Sequence, residues 1–308
     1  MKCSACSKEA VMFAPYSGRH LCRSHFYQFV EKRVKKEMRS QFDLKGCRKI
    51  AVGVSGGKDS LLALYFIHKF LDPTPIEIEA ITIDEGIQGY RSESILFALR
   101  LSKRLGVEHH VVSFKDQFGY DLDEVVTMDR SIGACSYCGV LRRKLLNYTS
   151  KLISADYLAT GLNLDDTAQS ILMNFTKGDV EKLARLGPHS KVQPGLVPRI
   201  QPLRMIPERE TYLYTLLKKI PFHDGLCPYA VEAVRGEYRD IINKLEDAHP
   251  GTRHAIVSSY ETIKEPLSGV FPPASLEECT MCGDPTAKTL CKSCEFLNEM
   301  EKKLGERK

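Results

Sequence analysis

No apolar stretch in this 308-residue chain is long enough to cross a bilayer, and no cleavable apolar leader opens it. Those two absences exclude a membrane-spanning role and give the expectation of a soluble cytoplasmic protein with no membrane partner. Low-complexity segments are also missing, and no internal repeat is visible beyond two paired cysteine modules. A strong charge of one sign is absent as well, since a net charge of +5 does not by itself demand nucleic acid. The distribution is more telling, with basic runs at Lys32-Arg33-Val34-Lys35-Lys36, Arg142-Arg143-Lys144 and Lys218-Lys219. With 43% hydrophobic and 27% charged residues, the chain can bury a large core and still carry appended modules.

The central stretch is Val54-Ser55-Gly56-Gly57-Lys58-Asp59-Ser60, between the apolar run Ile50 to Val54 and the apolar run Leu61 to Ile67. A strand, a glycine turn and a helix start fit that order. The turn directs the N–H groups of Gly56, Gly57 and the first helical turn into one concavity, where the helix dipole favours phosphate. Lys58 adds a charge, and Ser55 and Ser60 add hydroxyls. What this loop lacks is Ser or Thr directly after its lysine, so it is not a Walker A site. Ser-Gly-Gly-Lys-Asp-Ser resembles instead the pyrophosphate loop of the PP-loop ATP pyrophosphatases. That resemblance implies cleavage of ATP between its α- and β-phosphates, with AMP passed to a carbonyl oxygen.

Eleven cysteines in a cytoplasmic chain point to metals rather than disulfides. Cys3-x-x-Cys6 and Cys22-x-x-His25, fifteen residues apart, can converge tetrahedrally on one zinc. Cys279-x-x-Cys282 and Cys291-x-x-Cys294, eight residues apart, repeat the device at the other end. Neither module can bury a core of its own, so metal would supply its folding energy. Cys47 is left over and reads as a buried apolar side chain.

Strands alternate with helices from the loop onward, which predicts an α/β fold: a parallel sheet with helices on both faces, flanked by an N-terminal and a C-terminal zinc ribbon. The expected division is a ribbon at 1–28, a basic linker helix at 29–45, a catalytic domain at 46–245, a connecting segment at 246–275 and a second ribbon at 276–308. Ligands of such sheets sit at the carboxyl ends of the strands, where the loop, Asp84 and Gly161 all fall. Between Lys177 and Arg204 the chain turns rich in Pro, Gly and basic residues, including Pro188, Lys191, Pro194, Pro198 and Arg199, as a lid or binding loop would.

Cys135-Ser136-Tyr137-Cys138 reads as preceding a helix (139–153) that carries Arg142 and Arg143. Arginines beside a helix start would depress the thiol pKa values. With Cys227, in Leu226-Cys227-Pro228-Tyr229, the site has three thiolates and one open position. Catalytic zinc, a 4Fe–4S cluster with one free iron, a Cys135–Cys138 redox disulfide, or a third zinc completed by His223 all satisfy that pattern. Thr160-Gly161-Leu162-Asn163-Leu164-Asp165-Asp166 places paired carboxylates at a helix start. Asp166 is read as the functional one, for magnesium or acid–base work, and Asp165 as the capping one.

Taken in order, the two ribbons, the pyrophosphate loop, Cys135-x-x-Cys138-Gly139 with Arg142-Arg143, the Gly161 to Asp166 segment and Cys227-Pro228 resemble the TtuA/NcsA/Ctu-type tRNA 2-thiouridine synthetases over nearly the whole chain. The resemblance implies a 4Fe–4S cluster on Cys135, Cys138 and Cys227, zinc in both ribbons, and ATP with magnesium at the loop. It further implies a homodimer, tRNA as substrate, and a sulfur donor that is either sulfide or a thiocarboxylated ubiquitin-like protein. Catalytic roles are expected for Arg142, Asp166 and Asp59. Two departures stand out. Leu162 replaces a common histidine, and Arg142 stands where the TtuA branch tends to have lysine. Arg-Arg is more like the wobble-uridine branch, so the wobble position is favoured over T-loop 5-methyluridine. Rival readings are a cytidine 2-thiolase, which the terminal ribbons fit poorly, a lysidine synthetase, which needs no central cysteines, and a non-catalytic zinc-dependent tRNA-binding module, which the intact Lys58-Asp59-Ser60 disfavours.

Overall fold

The computed structural model describes residues 1–43, 45–189, 192–232 and 234–305. Lys191, counted above among the basic residues of the Pro-rich stretch, lies outside the described residues. Two short strands, β1 (Met12–Ala14) and β2 (Arg19–Leu21), pair antiparallel around a turn whose Gly18 has φ +63°. A long helix, α1 (Arg23–Gln41), follows at once and buries Phe26, Val30, Val34 and Met38, one residue per turn on a single stripe. The expected linker helix at 29–45 therefore begins six residues earlier. Cys22 is its N-cap, which puts His25 in its first turn. The ribbon and the linker share one helix.

The central sheet contains β3 (Lys49–Gly53), β4 (Glu77–Asp84), β5 (Glu108–Ser113), β6 (Tyr157–Ala159) and β7 (Arg199–Ile200), all parallel, in the order β5-β4-β3-β6-β7. Alternation along β3 sends Ile50 and Val52 into a core with α1 and α2 (Lys58–Leu71), while Ala51 packs on the other face. Helix α3 (Arg91–Leu105) joins the first core through Ala98 and Leu101, and beyond β5 the Ala51 face receives α4 (Phe114–Phe118), α5 (Leu122–Met128) and α6 (Ala134–Leu152). Tyr137, Leu141 and Leu145 of α6 join Ile81 and Ile83 of β4 in that second core. Both faces are covered, as the alternating pattern predicts.

Strand order reverses between β3 and β6, so the loops leaving these two strands diverge and open a crevice. Beyond β6 come α7 (Leu164–Thr176), α8 (Val180–Ala184) and α9 (Glu208–Leu217), then α10 (Arg235–Ala248) and α11 (Thr252–Val270). The stretch read as a connector at 246–275 is largely α11, whose Val257 and Tyr260 pack with Leu164, Ala168 and Ile171 of α7 in a third core. A final hairpin of β8 (Glu277–Glu278) and β9 (Pro285–Thr286) leads into α12 (Lys292–Gly305). Cys47 is half-buried rather than fully buried, packed at the edge of the first core, and burial pushes its thiol up to about 11. Among the described residues no helix is long and apolar enough to cross a membrane.

Candidate active site

Val54 leaves β3 with its N–H donating to the Ile81 carbonyl (2.8 Å), which fixes the start of the turn. The Ser55 N–H then donates to Ser60 Oγ (3.0 Å), and that hydroxyl donates to the Gly57 carbonyl (2.9 Å), closing the loop on itself. Gly56 has φ +85°, and a Cβ there would collide with the Ser94 carbonyl. On the opposite wall a Cβ at Gly161 would come within 2.6 Å of the Ser60 nitrogen. Glycine is thus required at both positions by close backbone approach. Gly57 is the N-cap of α2 and offers no side-chain acceptor, so the first-turn N–H groups remain available to an anion. This is a cradle of the shape and polarity that ATP phosphates need.

Lys58 Nζ lies 2.7 Å from Asp59 Oδ2 and 2.7 Å from Glu208 Oε1. Burial opposes its charge, but the two carboxylates hold its pKa above the ordinary lysine range. Asp59 Oδ1 accepts from Thr211 Oγ1 (2.5 Å), so the first turn of α9 grips two successive loop residues. Neither Glu208 nor Thr211 is signalled by any local motif. Asp84 ends β4 as expected and accepts the Gly86 N–H at 2.9 Å.

The paired carboxylates depart from the expected roles. Asn163 is the N-cap of α7, and Asp166 completes the capping box by accepting the Asn163 N–H (3.2 Å). Asp165 does not cap. It accepts the Glu208 N–H (2.7 Å) and pairs with Arg253 (2.5 Å), tying α7 to α9 and α11. Burial, and then the charge of Asp59, push the Asp166 carboxyl up to about 6. Two carboxylates that destabilise each other across a crevice suit a shared divalent cation.

Helix α6 starts at Ala134, so Cys135 and Cys138 lie inside its first turns rather than ahead of it. Cys135 Sγ is 3.8 Å from the Tyr229 carbonyl, in the turn that begins just after Cys227, which brings the third cysteine to the same place. The expected depression of the thiol pKa is not seen at Cys138. Burial pushes it up to about 11, outweighing the Arg142 charge that pulls it down. His223, considered as a fourth ligand, is turned toward Glu93 (3.5 Å) and stacks edge-on against Tyr90. The two halves of the crevice are linked from below by a buried carboxylate. Glu85 pairs with Arg91 (2.6 Å), which also donates to the Ser55 carbonyl (3.0 Å), and lies 3.6 Å from Arg142, one turn beyond Cys138.

Four ligand atoms converge in each terminal module. Those of Cys3, Cys6, Cys22 and His25 lie within 4.8 Å of one another, as do those of Cys279, Cys282, Cys291 and Cys294. His25 Nδ1 is 3.4 Å from Cys3 Sγ and 3.3 Å from Cys22 Sγ. The Cys291 N–H donates to Cys279 Sγ (3.2 Å), the backbone support that a thiolate ligand needs. Both donor sets fit a closed tetrahedral zinc. Among the described residues Cys135, Cys138 and Cys227 do not form such a tight group.

Two family models match along the chain. Residues 2–27 match the family described as 2-thiouridine synthetase TtuA, N-terminal LIM domain, and residues 26–235 match the PP-loop domain family. The tRNA 2-thiolation protein NcsA of Haloferax volcanii is 40% identical over 98% of this chain and 99% of its own length. The tRNA-5-methyluridine(54) 2-sulfurtransferase of Pyrococcus horikoshii is 33% identical over 96% of this chain and 93% of its own. Among solved structures, the U34-tRNA thiolase NcsA from Methanococcus maripaludis with its [4Fe-4S] cluster superimposes with a TM-score of 0.84 at 38% identity, covering 97% of this chain and 96% of that one.

Proposed function

We propose that this chain, which belongs to the TtuA/NcsA-type family of PP-loop tRNA 2-thiolation proteins, replaces the C2 oxygen of the wobble uridine in tRNA with sulfur at the cost of ATP cleaved to AMP and pyrophosphate. The observation that carries the reading is the Arg91–Glu85–Arg142 bridge, which couples a phosphate cradle to three converging cysteines at one carboxyl edge of the sheet. The wobble assignment draws its support from Arg142-Arg143 and from the likeness to the U34 enzyme.

The uridine carbonyl is a poor electrophile because its oxygen is a poor leaving group. In the first step that oxygen attacks the α-phosphorus and pyrophosphate departs. Lys58 and the N–H groups of Gly57 and α2 stabilise the charge that builds on pyrophosphate, from positions set before the reaction. Asp59 and Asp166 would hold magnesium between the loop and α7. In the second step sulfur adds to C2 and the former O2 leaves as part of AMP. Cys135, Cys138 and Cys227 would hold the 4Fe–4S cluster, which when bound supplies one coordination position for sulfur. Arg142 stands between those cysteines and Glu85, placed to offset negative charge on the reacting base. The target base must leave its stack to reach this crevice. The reading includes a homodimer, and either sulfide or a thiocarboxylated ubiquitin-like protein as donor.

The test is to incubate anaerobically purified protein with ATP, magnesium, sulfide and unmodified tRNA, then map 2-thiouridine by mass spectrometry of nuclease fragments. Sulfur at position 34, dependent on ATP and lost in Lys58→Ala, is expected. Sulfur at position 54 would reassign the substrate, and ATP-independent sulfur incorporation would reject the mechanism.

A further inference from the structure

Arginines enclosed in this fold are matched by carboxylates: Arg91 with Glu85, Arg204 with Glu261, Arg253 with Asp165 and Arg33 with Glu210. Arg143, which is exposed, and Arg199, which is half-buried, are not; among the described residues neither has an ion pair. The backbone nevertheless puts them together. One turn beyond Arg143 on α6, Asn147 donates to the Gly195 carbonyl (3.0 Å) and accepts the Val197 N–H (2.9 Å), which pins the strand approaching β7 along the helix. Val197 packs into the core beneath α6, and Arg199, two residues on, projects to the same side by strand alternation. The Arg143 guanidinium folds back along α6 to within 3.2 Å of where a Cβ on Gly139 would sit, at the rim of the Cys138 site.

Arg199 feels the charge of Arg143. Arg199 is held below the ordinary arginine range by burial and by Arg143, and Arg143 by burial and by Arg142. Behind Arg199, His189 is lowered by burial and then by Lys264 and Arg199, and the Cys138 thiol is the one group that favours the Arg143 charge among its resolved influences. Two guanidinium forks brought together without a carboxylate offer matched donors to an external anion.

We propose that Arg143 and Arg199 form a phosphate subsite that takes a backbone phosphate of the RNA beside the target nucleotide. This rests on the reading of the substrate as tRNA. A phosphate clamped at the rim, by forked donors rather than flexible lysines, would fix which nucleotide can reach the crevice.

The test uses full-length, cluster-containing protein and unmodified tRNA, with affinity measured over a series of salt concentrations. Arg143→Gln and Arg199→Gln should each weaken binding several-fold and flatten the plot of log affinity against log salt by roughly one contact. The double variant should lose both, and Arg143→Lys with Arg199→Lys should restore the slope. Iron content and melting temperature establish that the variants are folded. Wild-type affinity and slope in a folded double variant would overturn the subsite. Loss of ATP affinity in place of tRNA affinity would also overturn it, by assigning the anion to the nucleotide. Failure of wild-type protein to bind tRNA at all would instead remove the functional reading on which the subsite rests.

Discussion

The two zinc modules look like copies in sequence but brace opposite halves of the crevice. The N-terminal one reaches the ATP half. Tyr16 Oη and Arg33 both hydrogen-bond the fully buried Glu210 of α9. That same turn of α9 sends Glu208 to Lys58 and Thr211 to Asp59. The C-terminal module reaches the cysteine half. Asp284 pairs with Lys144 of α6, Phe296 stacks edge-on with Tyr137 (4.8 Å), and Lys303 pairs with Asp129 (2.7 Å) just before α6. It also holds the segment before β7, where Gln193 accepts the Leu276 N–H (2.9 Å) and Gly195 packs on Pro285. Motif spacing alone cannot distinguish two such modules; what they lean on does.

Removing a zinc ligand breaks this comparison most severely, since binding energies of about 10–16 kcal/mol accompany structural zinc sites. Cys22→Ala should lose one zinc and most nucleotide affinity while retaining iron, and Cys291→Ala should lose one zinc and most iron while retaining nucleotide affinity. Metal analysis with nucleotide titration checks both. Cutting the struts is milder. Glu210→Ala strands Arg33 and should cost about 3 kcal/mol in denaturant melts, with weaker ATP binding. Phe296→Ala empties a buried aromatic site and should also cost about 3 kcal/mol, with lower iron content instead.

The smallest effect lies at the seam between the halves. Asp166 titrates near 6 in the folded chain, above its unfolded value of 3.8, so its ionisation disfavours folding as pH rises through that window. Its side chain is 32% exposed, and with solvent screening the cost is about 1 kcal/mol. Asp166→Asn should therefore melt higher than wild type at pH 8, match it at pH 3.5, and lose ATP turnover. A penalty at pH 8 would make the carboxylate structural.

Contiguous motifs were legible because their chemistry lies within one turn or hairpin. The pyrophosphate loop, both ribbons and the Cys135–Cys138 pair are of that kind. The loop-to-strut contacts were not, because Lys58 meets Glu208 across 150 residues and Tyr16 meets Glu210 across 194. No periodicity encodes such pairs. At Cys138 the sequence displays the arginine that lowers a thiol pKa but not the burial that raises it further. Asp165 has no capping duty because Asn163, one residue past Leu162, is the N-cap and Asp166 completes its box. Helix starts at Arg23 and Ala134 came earlier than the hydrophobic pattern suggests, since polar residues and cysteine or histidine interrupt the apolar periodicity in each first turn.

Iron, sulfide and zinc content, with an absorbance spectrum, of anaerobically purified wild type and Cys227→Ala tests the division of metals most directly. About four irons and two zincs per chain are predicted, with iron lost and zinc kept in the variant. Zinc alone in the wild type, unchanged by Cys227→Ala, would contradict it.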